Sequence, residues 1–539
     1  MKFEKITLIF IILILILTGC NSVTENLTAD LTEDLVVEEE VIPVNTSGSA
    51  VAKGQKVTEI SMAIRPFDSL NPLMIKDKNV ANTLNLVYDK LFTYDENLKV
   101  VPDICKDYYF DTEKNAFVIG IKDNVKFSNG ELLTTSDVIH SLNILKSQED
   151  DVYYKNAIQN ISRYYVDDED KIIIELYNGF SRFDTSLVFP IISKEEFVGT
   201  YHTLPFGTGA YKMGTQSAYY EFSLLENEYS EKISKITKIN IEAIDNEKIE
   251  VTAFENNILD FAVTDIHNWL SYKKSYDSYV EKVDSNSLEF LGFNYANIFL
   301  ADRNVREALK YSVPYNKILE DTYLGFGYMS NTGVNPKSWL YNETTKGANY
   351  NLDYARDILR NNGYIYDTTD NLFKTNDENR TPLTFNLIVN SENEERLECT
   401  ELYKEALKEL GITINIVVLD YEKYIEALNN KDFDIFLGGF TQESQQLYSN
   451  IFGEGQIFEV SDEVYLNIIN SLNIAVTDEE YLNAHHNMQK YVLDNLLIIP
   501  ILFKEDAVLT KGTIENAIFN SDNYFYNIEK WIYNKEVLE

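Results

Sequence analysis

The chain has 539 residues, of which 45% are hydrophobic and 13% aromatic, a composition typical of globular proteins. Its 47 lysine and arginine residues are outnumbered by 86 aspartate and glutamate residues, so the formal net charge is −39. Such a charge argues against electrostatic attachment to nucleic acid or to an anionic lipid surface. The length exceeds what one hydrophobic core normally fills, and it predicts two or more lobes.

The N-terminus has the pattern of a secretory signal. Lys2 and Lys5 precede an apolar run over residues 6–17 that is too short to span a bilayer comfortably. The run ends in small residues followed by Cys20, which resembles the lipobox of bacterial lipoproteins. We expect residues 1–20 to be a signal peptide with Cys20 as the lipidated residue, and the protein to sit on the outer face of the cytoplasmic membrane. The alternative is an uncleaved signal anchor with an incidental cysteine.

Residues 21–56 are polar and acidic and follow neither a helical nor a strand period. We expect a disordered tether, which would span on the order of 30 Å as a random coil. After it, Cys105 and Cys399 are the cysteines that remain, and two distant cysteines do not indicate a disulfide framework. Both are predicted to be buried thiols.

Three helices are predicted between residues 300 and 363. Asp302 is a suitable N-cap for the first, which Pro314 ends, and Pro314 then opens a second. Asn351 and Gly363 frame the third. The residues predicted to face inward are Val305, Ala308, Leu309 and Ser312 in the first helix, and Tyr354, Ala355, Ile358 and Leu359 in the third.

The segment from 382 to 440 predicts alternating strands and helices. Strands are expected at 383–389, 412–419 and 433–437, and a helix at 421–429. Between the first two strands, apolar residues recur at helical spacing until Gly411: Cys399, Leu402, Tyr403, Ala406, Leu407 and Leu410. The order β-α-β-α-β predicts parallel pairing of the strands.

The third of these strands runs into two glycines, Gly438 and Gly439. Ligands gather at the carboxyl ends of parallel strands, and glycine lets a ligand approach the backbone closely. We therefore expect Gly439, Phe440, Thr441 and Gln442 to contact a ligand. The alternative is an ordinary turn from a strand to a helix.

Eight segments, in order along the chain, are similar to the family 5 extracellular solute-binding proteins, which include oligopeptide- and dipeptide-binding lipoproteins. The most specific is Val125–Val138, which reads as a strand, a glycine turn and an N-capped helix. The other segments are Ser69–Pro72, Gly207–Tyr211, Asn257–Ala262, Leu291–Asn294, Val305–Leu309, Ala355–Gly363 and Phe433–Gly439.

The resemblance implies an α/β, two-lobed periplasmic-binding-protein-like fold of class II, the large type with an extra subdomain, hinged around a ligand cleft. Residues 57–294 and 496–539 would form lobe I, with the extra subdomain at about 96–199. Residues 295–495 would form lobe II.

The resemblance also implies a monomeric substrate-binding lipoprotein of an ABC importer, which captures short peptides and delivers them to permease subunits in the membrane. In peptide-binding members an extended ligand is hydrogen-bonded along its backbone. An acidic residue just after the double-glycine strand pairs with the peptide α-ammonium, and here Glu443 aligns best with it. Peptide binders carry aspartate there, followed shortly by Asp-Pro, whereas this chain has Glu443 and no proline shortly after it. The alternative for Glu443 is a solvated charge near a helix N-terminus.

Two further residues are candidates for ligand contact. Arg65, between the first predicted strand and Ser69–Pro72, would meet a ligand carboxylate, or else is simply solvated. Trp339 would provide an aromatic platform, or else is a half-buried core residue.

The chain lacks the usual enzymatic motifs, including Gly-x-Ser-x-Gly, the phosphate loop, His-Glu-x-x-His and Cys-x-x-Cys. We therefore expect a binding protein without catalytic residues or a cofactor. His485 and His486 are adjacent and point to different sides of a helix, so a shared metal site is not expected. The alternatives are a binder of another solute, such as a nickel chelate or an oligosaccharide, a peptide-sensing lipoprotein, and a secreted hydrolase.

Overall fold

A computed structural model describes the protein over residues 55–67, 69–149, 151–195, 205–218, 221–264, 278–345, 349–441, 451–453, 456–520 and 522–535. All of these belong to the compact unit Lys53–Glu539. The predicted signal peptide with Cys20 and nearly all of the tether lie outside the described residues, as do Gln442 and Glu443. None of the helices described is both long and apolar enough to cross a membrane.

The strands are short except for two of them. In chain order they are β1 Gln55–Lys56, β2 Glu59–Ile64, β3 Phe92–Tyr94, β4 Val100–Pro102, β5 Cys105–Asp111, β6 Ala116–Ile121, β7 Ile161–Val166, β8 Ile172–Leu176, β9 Tyr211–Ala218, β10 Glu221–Glu226, β11 Lys238–Ala243, β12 Phe261–Thr264, β13 Tyr279–Phe293, β14 Gly327–Tyr328, β15 Tyr364–Asp367, β16 Leu372–Thr375, β17 Thr384–Asn390, β18 Thr413–Leu419, β19 Ile435–Thr441, β20 Ile498–Thr510, β21 Gly512–Glu515 and β22 Ile532–Lys535.

The helices are placed mainly in the second half of the chain. They are α1 Lys78–Leu84, α2 Thr135–Ser147, α3 Glu247–Glu255, α4 Ile298–Ala301, α5 Arg303–Tyr311, α6 Tyr315–Lys317, α7 Leu352–Asn361, α8 Glu394–Leu410, α9 Tyr421–Asn430, α10 Glu463–Ile474 and α11 Asp478–Asn495. Single turns of 3-10 helix lie at Lys155–Ile158, Phe183–Ser186 and Ile528–Lys530, and a π-helical turn lies at Ile318–Thr322.

One 11-stranded sheet runs through the molecule in the order β18-β17-β19-β13-β20-β12-β2-β11-β10-β9 with β14 beside β20. Its centre is the antiparallel pair of the two long strands, β13 and β20. Their register shifts between Asp284 and Leu288, where Asn286 has a φ of 55°. Such a bulge bends and twists the strands locally. Strands β17 to β19 lie on the β13 side of this pair, and strands β12, β2, β11, β10 and β9 lie on the β20 side.

A second, 4-stranded sheet has the order β5-β6-β8-β7 and is separate from the large one. Its strands all come from the segment 105–176, and helix α2 packs against β7. The inward face of this sheet is apolar, with Phe117, Ile119, Ile172 and Ile174 buried. Cys105, at its start, is a buried free thiol, as is Cys399.

The predicted β-α-β-α-β unit is confirmed. Strand β17 pairs in parallel with both β18 and β19. Helix α8 ends where predicted, because Gly411 adopts a left-handed conformation with a φ of 105° that side chains disfavour. Strand β19 begins later than predicted, at Ile435, and continues through both glycines to Thr441.

The helix starts at Asp302 and Asn351 are also confirmed, since each side chain accepts a hydrogen bond from the first turn. One detail was wrong. Tyr354 is 45% exposed and stacks edge-on against Tyr311 with centroids 4.6 Å apart, so it covers the outer side of the helix pair. Pro314 opens a second helix, as predicted: it is the N-cap of Tyr315–Lys317, which passes into the π-helical turn.

The most specific segment of the resemblance, Val125–Val138, forms a tight turn and a capped helix. Lys126 and Leu132 form an isolated bridge around Gly130, whose φ is 89°. Helix α2 then begins with a capping box, in which Asp137 accepts from the backbone N–H of Thr134 at 2.8 Å.

Candidate functional site

A cavity of about 980 Å³ lies between residues 81–188 and residues 440–485, with Asp522 also at its wall. We call it the central cavity. Its volume is at the upper end of the range of about 300–1,000 Å³ for small-molecule sites. It therefore has room for a solute much larger than a single ion.

The walls of the central cavity carry two kinds of side chain. Aromatic residues contribute apolar surface: Tyr94, Tyr153, Tyr154, Tyr177, Phe180, Phe183, Phe440 and Tyr481. Amide side chains contribute donors and acceptors: Asn82, Asn156, Gln159, Asn160, Asn178, Gln456 and Asn473. An amide both donates and accepts, so such a wall can match the peptide groups of a ligand without selecting one side chain.

Charge is sparse in this lining. Among the described residues that line the cavity, Lys90 and Asp522 are the charged ones, and His485 is the one histidine. Burial lowers the pKa of His485 to about 3, assisted by the charges of His486 and Arg182, so His485 is neutral at ordinary pH. The part of the chain that the structure describes brings no three His, Cys, Asp or Glu side chains together as a metal site.

The segment predicted from the double glycine reaches this cavity. Phe440 and Thr441 line it, and both lie at the end of β19. The hydroxyls of Thr441 and Ser287 are hydrogen-bonded at 2.8 Å, while the Phe440 ring packs against Phe290 with centroids 5.3 Å apart. Gln442 and Glu443 follow directly in the chain but lie outside the described residues.

The two walls also touch each other beside the cavity. Asp478, at the start of α11, accepts from Lys99 Nζ at 2.6 Å and from Arg182 Nη1 at 2.8 Å. The backbone N–H of Ser181 donates to the Asn473 carbonyl at 2.9 Å. These contacts join residues 99–182 to residues 473–478 directly, so the structure has the two walls closed together at this point.

The family of the chain is decided by its sequence match. Residues 99–454, more than half of the chain, match the bacterial extracellular solute-binding proteins, family 5 (middle region). The chain belongs to this family. The resemblance drawn from the sequence is thus confirmed, and the protein is a solute-binding protein of the kind that serves ABC importers.

Two curated relatives cover most of this family 5 protein. The oligopeptide-binding protein AppA of Bacillus subtilis is 19% identical over 485 residues, which are 86% of this chain and 89% of AppA. The nickel-binding protein NikA of Staphylococcus aureus is 21% identical over 527 residues, 96% of each chain.

Solved structures support the fold. AppA of Bacillus subtilis in complex with a nonapeptide superposes with a TM-score of 0.63 at 18% identity, covering 90% of this chain and 100% of that one. A nickel ABC transporter protein from Bacillus halodurans superposes with a TM-score of 0.76 at 18% identity, covering 87% of this chain and 98% of that one. The α/β periplasmic-binding fold is therefore confirmed.

In this family 5 protein the two glycines have a packing reason of their own. A Cβ on Gly438 would lie 2.7 Å from the Tyr424 hydroxyl, and one on Gly439 would lie 2.5 Å from Arg396 Nη2. Arg396 there forms a two-point ion pair with Glu289 at 2.7 and 3.0 Å. What approaches both glycines in the structure is protein, and a ligand contact by Gly439 stays a prediction.

Arg65 is engaged elsewhere. Its guanidinium donates to the buried Glu250 carboxylate at 2.7 Å and to the Ile244 carbonyl at 3.5 Å. It is not among the described residues that line the central cavity. The expected contact between Arg65 and a ligand carboxylate therefore has no support in this geometry.

Trp339 lies behind the cavity wall. Its indole is half-buried and faces the ring of Tyr481 at 6.3 Å, and Tyr481 is the residue that lines the cavity. Lys99 Nζ lies 5.2 Å from the indole centroid on another side. The structure thus favours Trp339 as a support for Tyr481 over a direct platform.

Sequence reasoning missed the wall formed by residues 153–188. The lining residues of this wall lie outside β7 and β8, in turns and in two single turns of 3-10 helix, where neither helical nor strand periodicity exists to mark a face. One signal was available: tyrosine and asparagine cluster in segments that lack a buried pattern. Examples are Tyr153, Tyr154, Tyr177 and Asn178.

Proposed function

We propose that this protein captures short peptides in the central cavity and delivers them to the permease of an ABC importer without altering them chemically. The observation that carries the proposal is the lining of a 980 Å³ cavity by amide and aromatic side chains with little charge. Peptide backbones offer repeated amide groups, which such walls can hydrogen-bond in many registers. Similarity to AppA over most of both chains supports the same substrate class.

Two lobes and a hinge give the cavity a way to open. We place lobe I at 57–294 and 496–539, with the extra subdomain at about 96–199, and lobe II at 295–495. The bulge in β13 near Asn286 and the long pairing with β20 are then the natural hinge. Closure excludes water from the cavity, which strengthens each polar contact to the solute.

Glu443 is our candidate for the peptide α-ammonium, on the sequence grounds given above. It follows Phe440 and Thr441, which reach the cavity wall. A charge pair made inside a closed cleft contributes strongly, and truncating one partner costs about 2 kcal/mol or more. Lipidation at Cys20 remains part of the proposal and would hold the protein at the membrane beside its permease.

A nickel chelate is the second candidate, favoured by similarity to NikA over 96% of both chains. In that case the cavity would hold a metal already wrapped by small organic ligands, so few protein donors are needed. The aromatic walls suit a flat chelate as well as a peptide.

Native mass spectrometry of the purified protein distinguishes the two candidates. Peptide binding predicts a series of retained masses separated by residue masses, which are lost on denaturation. A nickel chelate predicts one mass with the nickel isotope pattern. Retention of neither, together with no calorimetric heat for tri- to pentapeptides, would contradict the peptide proposal.

The Glu443 assignment has its own measurement. Calorimetry with Glu443→Gln is expected to give a loss of affinity of about 30-fold or more for peptides with a free amine. N-acetylated peptides should bind the wild type and the variant alike. Equal affinity of the variant for free-amine peptides would refute the role of Glu443 and leave peptide binding intact.

A further inference from the structure

Lys90 stands out in the central cavity because it is a buried cation. Its backbone is fixed on both sides: its N–H donates to Asp103 Oδ2 at 3.2 Å, and its carbonyl accepts from Ile104 N at 2.9 Å. The residue is only 9% exposed, and it lines the cavity together with Tyr154. The Lys90 side chain therefore lies in the protein interior, at the wall of the central cavity.

The ammonium of Lys90 lies 5.7 Å from the centroid of the Tyr154 ring. Among the described residues, no carboxylate lies within salt-bridge distance of its Nζ and no oxygen accepts a hydrogen bond from it. Two nearby carboxylates form salt bridges with another lysine: Lys232 Nζ lies 2.5 Å from Asp89 Oδ1 and 3.4 Å from Asp103 Oδ1. The three N–H donors of the Lys90 ammonium thus find no acceptor among the residues that the structure describes.

A buried ammonium without acceptors is costly. Burial lowers the pKa of Lys90 to about 8, although Asp522 and then Asp103 act in the opposite direction. Both carboxylates are too distant to replace the lost hydration. An anion brought in by the solute would accept hydrogen bonds from the ammonium and raise its pKa again.

We propose that Lys90 is an anchor for a carboxylate group of the solute at the Tyr154 side of the central cavity. The inference rests on the proposed function and deepens it, because it requires the solute to carry an anionic end. The Tyr154 ring lies under the ammonium and restricts where the Lys90 side chain can point. The ammonium is therefore positioned for a ligand that enters through the cavity. On a peptide, the carboxylate is either the C-terminus or an acidic side chain.

The competing role is structural. In that role Lys90 serves as the counter-ion of Asp522 and Asp103, and its removal would leave those carboxylates uncompensated. The two roles differ in the empty protein. A counter-ion stabilises the fold, whereas a cation kept for a ligand costs stability until the ligand arrives.

The test uses the full-length protein with Lys90→Met, which keeps the stem and removes the charge, and Lys90→Arg, which keeps the charge. The matched control is Lys146→Met, because Lys146 also lies over a tyrosine ring, Tyr164 at 5.5 Å, but is exposed and outside the cavity. The probes are tri-, tetra- and pentaalanine as free acids and as C-terminal amides, and amidated pentaalanine with a central glutamate. The non-peptide probes are 3-phenylpropionate and its amide.

Calorimetry should show the wild type binding free acids about 10- to 100-fold more tightly than amides, as expected for charge-assisted hydrogen bonds. Lys90→Met should bind both alike, while Lys90→Arg and Lys146→Met keep the preference. The melting temperature of empty Lys90→Met should equal or exceed that of the wild type. Preference for the glutamate-bearing amide over the plain amide would assign the site to an acidic side chain, and its absence to the C-terminus.

Several results would overturn the anchor. Equal binding of acids and amides by the wild type, or a preference retained in Lys90→Met, removes it while peptide binding stands. A melting temperature of Lys90→Met below that of the wild type, with an unchanged acid preference, assigns Lys90 to the counter-ion role. Binding of none of the carboxylates removes both proposals. If only phenylpropionate binds, and Lys90→Met abolishes its preference over the amide, the anchor stands and the peptide function fails.

Discussion

The roles of several single residues in this protein depend on contacts with residues far away in the sequence. Gly439 looks like a place where a ligand approaches the backbone, yet the Arg396–Glu289 pair fills the space beside it. Arg65 looks like a free cation before a loop, yet it neutralises the buried Glu250. A glycine or a charge marks a position with a special neighbour, but only the fold says whether that neighbour is protein or solute.

The buried Arg396–Glu289 pair gives a prediction about stability. Arg396→Met leaves Glu289, whose side chain is 5% exposed, as an unpaired buried charge, so unfolding free energy should fall by about 3 kcal/mol. The control is Arg163→Met, which breaks a similar two-point pair with Glu175 where the arginine is 65% exposed, and it should cost less than about 1 kcal/mol. Denaturant unfolding measures both, and equal losses would contradict the role assigned to burial.

Elements were predicted well where a periodic pattern and a capping residue coincide. Helix α8 has its apolar stripe and Gly411, and its neighbours β17 and β18 are short apolar runs with clear ends. The long strands β13 and β20 were not predicted, because their register depends on partners over 200 residues apart and on a bulge. Tyr354 was misplaced because tyrosine on a helix suits either face.

The capping box of α2 gives a prediction at the scale of an element. Asp137 is buried and accepts from Thr134 N at 2.8 Å, from Thr134 Oγ1 at 2.7 Å and from Lys194 N at 3.0 Å. Asp137→Ala should therefore cost about 2–3 kcal/mol, since donors lose their acceptor away from water.

The second capping box, at the start of α11, is the control for this prediction. Glu480 there is exposed and accepts from Val476 N and Thr477 N, both at 3.0 Å. Glu480→Ala should cost about 1 kcal/mol or less, because water replaces the carboxylate. Urea unfolding followed by circular dichroism compares the two variants, and a larger loss at Glu480 would contradict the argument.

At the scale of the whole molecule, the sequence predicted the family and its fold but only one edge of the cavity. Phe440 and Thr441 were predicted because they lie at the carboxyl end of a strand of a recognisable parallel unit. The opposite wall comes from turns at 153–188, which meet them only through the tertiary fold. The contacts that hold both walls together are also invisible in the sequence, since Asp478 lies nearly 300 residues from Arg182.

The ion pairs of Asp478 with Lys99 and Arg182 lead to a prediction about closure of the cavity. Asp478→Asn weakens the bonds to Lys99 and Arg182 without touching the cavity lining, so the closed form should become less populated. Affinity for the solute should fall about 3- to 10-fold in proportion to the lost closed fraction. Small-angle scattering should show a larger radius of gyration for the empty variant. Asp494→Asn, which removes an exposed pair with Lys490 in the same helix, should change neither quantity.

The pH dependence of closure follows from the same carboxylate. Burial raises the pKa of Asp478, but the hydrogen bond from Lys99 and the charge of Arg182 outweigh it, so the pKa lies below its usual value. A lowered pKa stabilises the closed form above the usual carboxyl pKa of about 4, and the effect is lost as pH falls through the lowered value. Scattering from pH 7 to pH 3 should therefore show the wild type opening toward the radius of Asp478→Asn. A constant difference between the two proteins down to pH 3 would contradict this pH dependence, and equal radii at pH 7 would mean that the Asp478 contacts do not control closure.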